Sequence, residues 1–80
     1  MKYYAVEVDE RGYEELPYTH RTLYKSFEAA MRFCYARARF SYHLESFYPN
    51  RIRESNDGLV LFDNENQIEA YYRIIEMFTE

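Results

Sequence analysis

The stretch DNENQIEAYYRIIEMF, residues 63–78, decides the fold. Its spacing predicts a helix. Asp63 or Asn64 offers a side-chain oxygen to the free N–H groups of a helix start, and Glu65 falls in the first turn, where a negative charge suits the helix dipole. Ile68, Tyr71, Tyr72, Ile75 and Phe78 then share one face at the helical period. The four residues before it, LVLF at 59–62, are apolar at every position, which is the pattern of a strand covered on both faces or central in its sheet. With RIRESNDG at 51–58 they read as a hairpin, turned at Asn56-Asp57-Gly58 with Gly58 in the left-handed region.

Working outward, KYYAVEVD at 2–9 alternates. Tyr4, Val6 and Val8 fall on one side and Tyr3, Ala5, Glu7 and Asp9 on the other, the period of a half-buried strand. DERG at 9–12 reads as a turn, with Gly12 free to take positive φ. YEELPY at 13–18 reads as a short return strand. Pro17 donates nothing to a ladder, so that strand belongs at an edge. Ser26 is a good helix N-cap, and Glu28 lies in the first turn. Phe27, Ala30, Met31, Cys34, Ala38 and Ser41 follow at a 3.6-residue repeat, with small residues suited to close packing. This helix is expected to run to about Leu44, since Pro49 forbids it going much further.

The order is therefore β-(β)-α-β-β-α. It predicts a single compact α+β domain over residues 1–80: a small two-layer fold, an antiparallel sheet of three or four strands with two helices on one face. With both helices on one side, the other face of LVLF is bare, and weak self-association into a homodimer follows as an expectation. One cysteine, Cys34, excludes an internal disulfide, and with His20 and His43 it falls short of a zinc ligand set. No stretch has the length and apolarity to span a membrane, and MKYYAVEVDE lacks the apolar core of a signal peptide. The expected setting is cytoplasmic, with no membrane partner.

The net charge of −4 is unevenly spread. Residues 1–19 carry two basic and five acidic groups, residues 20–53 seven basic and two acidic, and residues 54–80 one basic and seven acidic. Either these pair internally or the molecule has two surfaces of opposite sign.

Catalytic chemistry has no visible footing. The two glycines serve turns, which excludes phosphate-cradling and dinucleotide-binding loops. Cys34 and His43 lie nine residues apart on one helix, about 180° apart in azimuth at roughly 100° per residue, so they point to opposite sides. Cys34 reads as a buried structural thiol. No catalytic residue, no metal site and no cofactor is expected, and the chain is read as not an enzyme.

Binding residues are easier to nominate. Arg32, Arg39 and His43 fall together on the helix face opposite the Phe27–Cys34–Ala38 stripe, with Ala36 between them and Arg37 on a flank. Arg51 and Arg53 flank Ile52 on the next strand. Phe33, Phe40, Leu44 and Phe47 form a second apolar stripe, expected either to meet the C-terminal helix through Tyr71 or Phe78 or to lie exposed as a docking site. Acidic clusters at Asp9, Glu10, Glu14 and Glu15 and at Glu65, Glu69 and Glu76 offer a phosphate-like surface.

Together these features point to a protein-binding module, an inhibitor or adaptor that occupies a surface of a macromolecular partner. Phage and mobile elements encode many small acidic domains of this size, including inhibitors of CRISPR-type nucleic-acid-handling systems; the likeness is one of size and composition. The alternatives are a small nucleic-acid-binding regulator, its arginines on phosphates while Phe40 or Tyr42 stacks on a base, and a homodimeric structural subunit. A pI near 5.2 weighs against nucleic acid.

Overall fold

Residues 68–78 form a strand, not a helix. The computed structural model describes residues 1–11, 16–44 and 51–78. In chain order its elements are β1 (Lys2–Glu10), β2 (Tyr18–Thr19), α1 (Phe27–Tyr42), β3 (Ile52–Ser55), β4 (Gly58–Phe62) and β5 (Ile68–Phe78). The fold is α+β with one helix and a five-stranded antiparallel sheet, in place of the two helices and three or four strands expected. The expected turn at Gly12 and much of the return strand at 13–18 lie outside the described residues, as does Pro49; β2 keeps the last residue of that strand.

The physical reason for the correction lies in IEAYYRIIEMF itself. Six of its eleven residues are β-branched or aromatic, a composition that favours an extended chain. Ala70, Tyr72 and Ile74 are buried at every second position, so the strand period also fits. Asp63 does cap, but it caps a hairpin. Its Oδ1 accepts the N–H groups of Glu65 at 2.8 Å and Gln67 at 2.9 Å, while Asn66 takes a left-handed φ of 62°. The chain reverses there and β5 returns beside β4 from Ile68 opposite Phe62.

The sheet order is β2-β1-β5-β4-β3. β5 is thus central and pairs with the whole of β1, from Lys2 opposite Phe78 to Glu10 opposite Ala70. Helix α1 starts at Ser26, whose side chain accepts the Ala29 N–H at 3.1 Å, and ends where His43 turns left-handed at φ 52°. Its inward face is Ala30, Cys34, Ala38 and Ser41. These small side chains let the helix settle onto Val6, Val8, Leu59, Leu61, Ala70 and Tyr72, all buried.

The β3–β4 hairpin forms as expected, but Gly58 is not left-handed, and neither Asn56 nor Asp57 has positive φ. The glycine serves close approach instead: a Cβ there would collide with the Tyr72 carbonyl oxygen on β5. LVLF splits by alternation. Leu59 and Leu61 lie buried under the helix, while Val60 and Phe62 are half-buried and point to the other face. No described element covers that face. Among the described residues no helix is long and apolar enough to cross a membrane.

Candidate functional site

The basic groups of the sheet and helix divide into those that are paired and those that are not. Among the described residues four are held by carboxylates: Lys2 by Glu76 at 2.6 Å, Arg37 by Glu10 at 2.8 Å, Arg51 by Glu69 at 2.5 Å and Arg73 by Asp57 at 3.5 Å. Arg53 lies over the Phe62 ring, 4.9 Å from its centroid, a cation–π contact. Arg32 and Arg39 make no hydrogen bond or ion pair with any described residue.

Those two arginines stand on the outward face of α1. Arg32, Ala36, Arg39, Phe40 and His43 are neighbours there at spacings of three and four residues. All five are exposed, and Phe40 keeps 75% of its surface in solvent. The inward register of Ala30, Cys34 and Ala38 forces this placement, since a helix that buries one stripe must present the opposite one.

Charge follows the layers. Helix α1 holds three basic groups, Arg32, Arg37 and Arg39, and one acid, Glu28. The other described residues hold seven basic groups and nine acids. Arg37–Glu10 is the one ion pair between the helix and the sheet among the described residues. A basic layer therefore lies over an acidic one, and internal neutralisation between them is slight.

That single bridge is well built. Arg37 donates to Glu10 Oε1 through Nε at 3.2 Å and Nη2 at 2.8 Å, and the Tyr72 hydroxyl donates to Oε2 at 2.6 Å. Burial, with the hydrogen bond to Glu10, drives the Tyr72 hydroxyl far above its ordinary pKa, so it remains a donor. Glu10 is only 7% exposed. It therefore leaves the acidic cluster in which the sequence placed it. The alternation of β1 contained the signal, because Glu10 has the parity of Val6 and Val8.

The second acidic cluster also disperses. Glu65 is in the β4–β5 loop, Glu69 holds Arg51, and Glu76 holds Lys2 at the far end of β5, about 23 Å from Glu69 at 3.3 Å per residue. Arg51 and Arg53 lie at the β3 edge, Arg51 also donating to the Phe62 carbonyl at 2.9 Å. The structure thus brings together Arg32, Arg39, Phe40 and His43, and places Arg51, Arg53, Glu65, Glu69 and Glu76 elsewhere.

The second apolar stripe has no C-terminal helix to meet. Phe33 instead stacks on His20, with centroids 4.0 Å apart, and on Tyr24 at 5.8 Å. Leu44 is buried, Phe40 is exposed, and Phe47 lies outside the described residues. Burial and the nearby Arg37 charge both lower the pKa of His20, which favours the neutral ring in this stack.

Cys34 is fully buried and its thiol is pushed up to about 12 by burial, so a thiolate is not accessible near neutrality. His43 stands on the opposite side of α1. Among the described residues no group of three His, Cys, Asp or Glu side chains converges to hold a metal ion. Compared with known proteins, the chain matches no family model, no curated sequence and no solved structure.

Proposed function

We propose that the protein is a non-enzymatic protein-binding module, an inhibitor or adaptor that docks through the outward face of α1. The observation that carries this is the exposed Phe40 on α1, set among arginines that pair with no described residue. Aromatic and arginine side chains are the groups from which interface anchors are built. Neither arginine has a partner to leave among the described residues, so docking there breaks no internal ion pair. Of the acidic residues read from the sequence as phosphate-like clusters, Glu10, Glu69 and Glu76 are each engaged by a basic group within the fold, and Glu14 and Glu15 lie outside the described residues.

The same unpaired arginines also favour a second reading, a nucleic-acid-binding regulator with Phe40 stacked on a base. The acidic sheet beneath and the net charge of −4 oppose it, because they repel phosphate at a distance. One comparison separates the two. Extract of the native cell, treated with nuclease, is passed over the wild type, an Arg32→Glu/Arg39→Glu double variant and a Glu7→Lys/Asp9→Lys control. A protein captured by the wild type and the control but lost with the double variant supports protein docking. Capture that disappears on nuclease treatment promotes the regulator, and capture equal across all three removes α1 from the account.

A further inference from the structure

On the flank of α1 that faces β3, the sheet extends past the helix and leaves a groove. One hollow of about 310 Å³ is floored by Phe27, Met31 and Tyr35, with Glu28, Arg32 and Glu54 at its rim. A second, of about 400 Å³, adjoins it at Phe27 and runs toward the β3–β4 turn, between Tyr4, Ile74, Asp57 and Glu76. The floor is apolar and largely aromatic. The rim carries four carboxylates and one arginine. Arg73 and Lys2 partly offset Asp57 and Glu76, but Glu28 and Glu54 face no basic partner among the described residues. The Tyr35 hydroxyl donates to Glu54 at 2.7 Å and, through burial first and this bond second, is pushed up to about 12, so it remains a donor and the carboxylate an acceptor.

Beside this groove is a free sheet edge. Among the described residues β3 pairs with β4 alone. The Phe62 N–H bonds to the Arg51 carbonyl at 2.7 Å, which fixes the phase of the hairpin ladder. Arg51, Arg53 and Ser55 then turn their backbone groups toward β4, and Ile52 and Glu54 turn theirs outward. An extended chain laid along β3 would hydrogen-bond at Ile52 and Glu54, and its side chains on the helix side would enter the groove.

We infer that the groove and the β3 edge form a second docking surface, adjoining the outward face of α1 at Arg32, that takes an extended basic peptide of another protein. Its alternate side chains are basic, apolar, basic. The apolar one sits over Phe27, Met31 and Tyr35, and the basic ones meet Glu28 and Glu54. Charge decides the occupant, since an acidic segment would face both carboxylates. Arg32 is common to both surfaces, whereas Arg39, Phe40 and His43 do not line the groove.

The test is fluorescence polarisation of a labelled, end-capped peptide Arg-Thr-Leu-Thr-Arg with the full chain. Binding is expected with a dissociation constant on the order of 100 µM, the range for a short peptide with one anchor. Glu54→Lys and Glu28→Lys should each weaken it about tenfold or more, and Glu54→Gln, which keeps an acceptor for Tyr35, several-fold. Glu65→Lys, the same charge change in the remote β4–β5 loop, should leave it within about twofold at physiological salt. N-methylation at the leucine, which removes a backbone donor, should also weaken binding, and Arg39→Glu should not. Circular dichroism melts confirm that each variant is folded. The inference is overturned by no binding at millimolar protein, by equal binding of Glu-Thr-Leu-Thr-Glu, or by Glu65→Lys matching Glu54→Lys. It is also overturned if Glu54→Lys dissolves a dimer of the wild type that the peptide leaves intact, since the occupant would then be a second copy.

Discussion

Replacing Arg37 with methionine breaks the one helix–sheet ion pair among the described residues. Glu10 would stay where β1 holds it, 7% exposed, with the Tyr72 hydroxyl as its remaining side-chain donor. Orphaning one member of a buried pair costs about 3–5 kcal/mol. The Arg37 side chain is 27% exposed, so water reaches part of the vacated space and the figure falls to about 2–4 kcal/mol. A chain of this length has a total stability of roughly 4–12 kcal/mol, so the loss is a large share of it. The melting temperature should drop by about 10–25 °C. Glu10→Gln should cost less, because the amide oxygen still accepts from Arg37. The double variant Glu10→Gln/Arg37→Met should be more stable than Arg37→Met alone, since no buried charge is left behind. Thermal melts by circular dichroism at pH 7 on the four proteins close the cycle. An Arg37→Met variant within about 0.5 kcal/mol of wild type would refute the reasoning, as would a double variant whose loss is the sum of the single losses.

His20 gives a pH dependence with a definite sign. Its folded pKa is lowered from the ordinary 6.5, so below about pH 7 the unfolded chain binds more protons and stability should fall. The loss should level off once the pH passes below the folded pKa, and His20→Phe, which keeps the stack on Phe33, should flatten the curve between pH 7 and 5; an unchanged slope contradicts the assignment. Cys34 should react with a thiol reagent at pH 8 only as fast as the chain unfolds, and Cys34→Ser should cost about 1–3 kcal/mol; labelling of the native protein at the denatured rate would refute its burial. Gly58→Ala should cost about 1–3 kcal/mol, because β4 must move away from the Tyr72 carbonyl; a melt unchanged within error would show that the approach is not close.

The helix α1 was legible because its signals agree. Ser26 caps it, Glu28 suits its first turn, and Phe27, Ala30, Cys34 and Ala38 repeat at its period. The hairpin at 52–62 was legible for the same reason, although the role of Gly58 depends on a strand distant in sequence. Residues 68–78 carry signals in conflict. Ile68, Tyr71, Tyr72, Ile75 and Phe78 match a helical face, while Ala70, Tyr72 and Ile74 match a strand face, and periodicity alone does not rank them. The decision is tertiary: β1 and β4 each offer a full edge, and a β-branched and aromatic chain gains more by pairing with both than by coiling. Arg32, Arg39, Phe40 and His43 were readable together because one helix places all four. Glu65, Glu69 and Glu76 were not, since their grouping assumed the helix that became β5.

The central claim, that the outward face of α1 meets a protein, is tested most directly by photo-crosslinking in the native cell. A photoreactive phenylalanine analogue replaces Phe40 in one variant and Val60, on the uncovered sheet face, in another. A discrete protein adduct is expected from position 40, absent in the Arg32→Glu/Arg39→Glu background and resistant to nuclease. An adduct from position 60 alone, or a position-40 adduct that nuclease destroys, would contradict the claim.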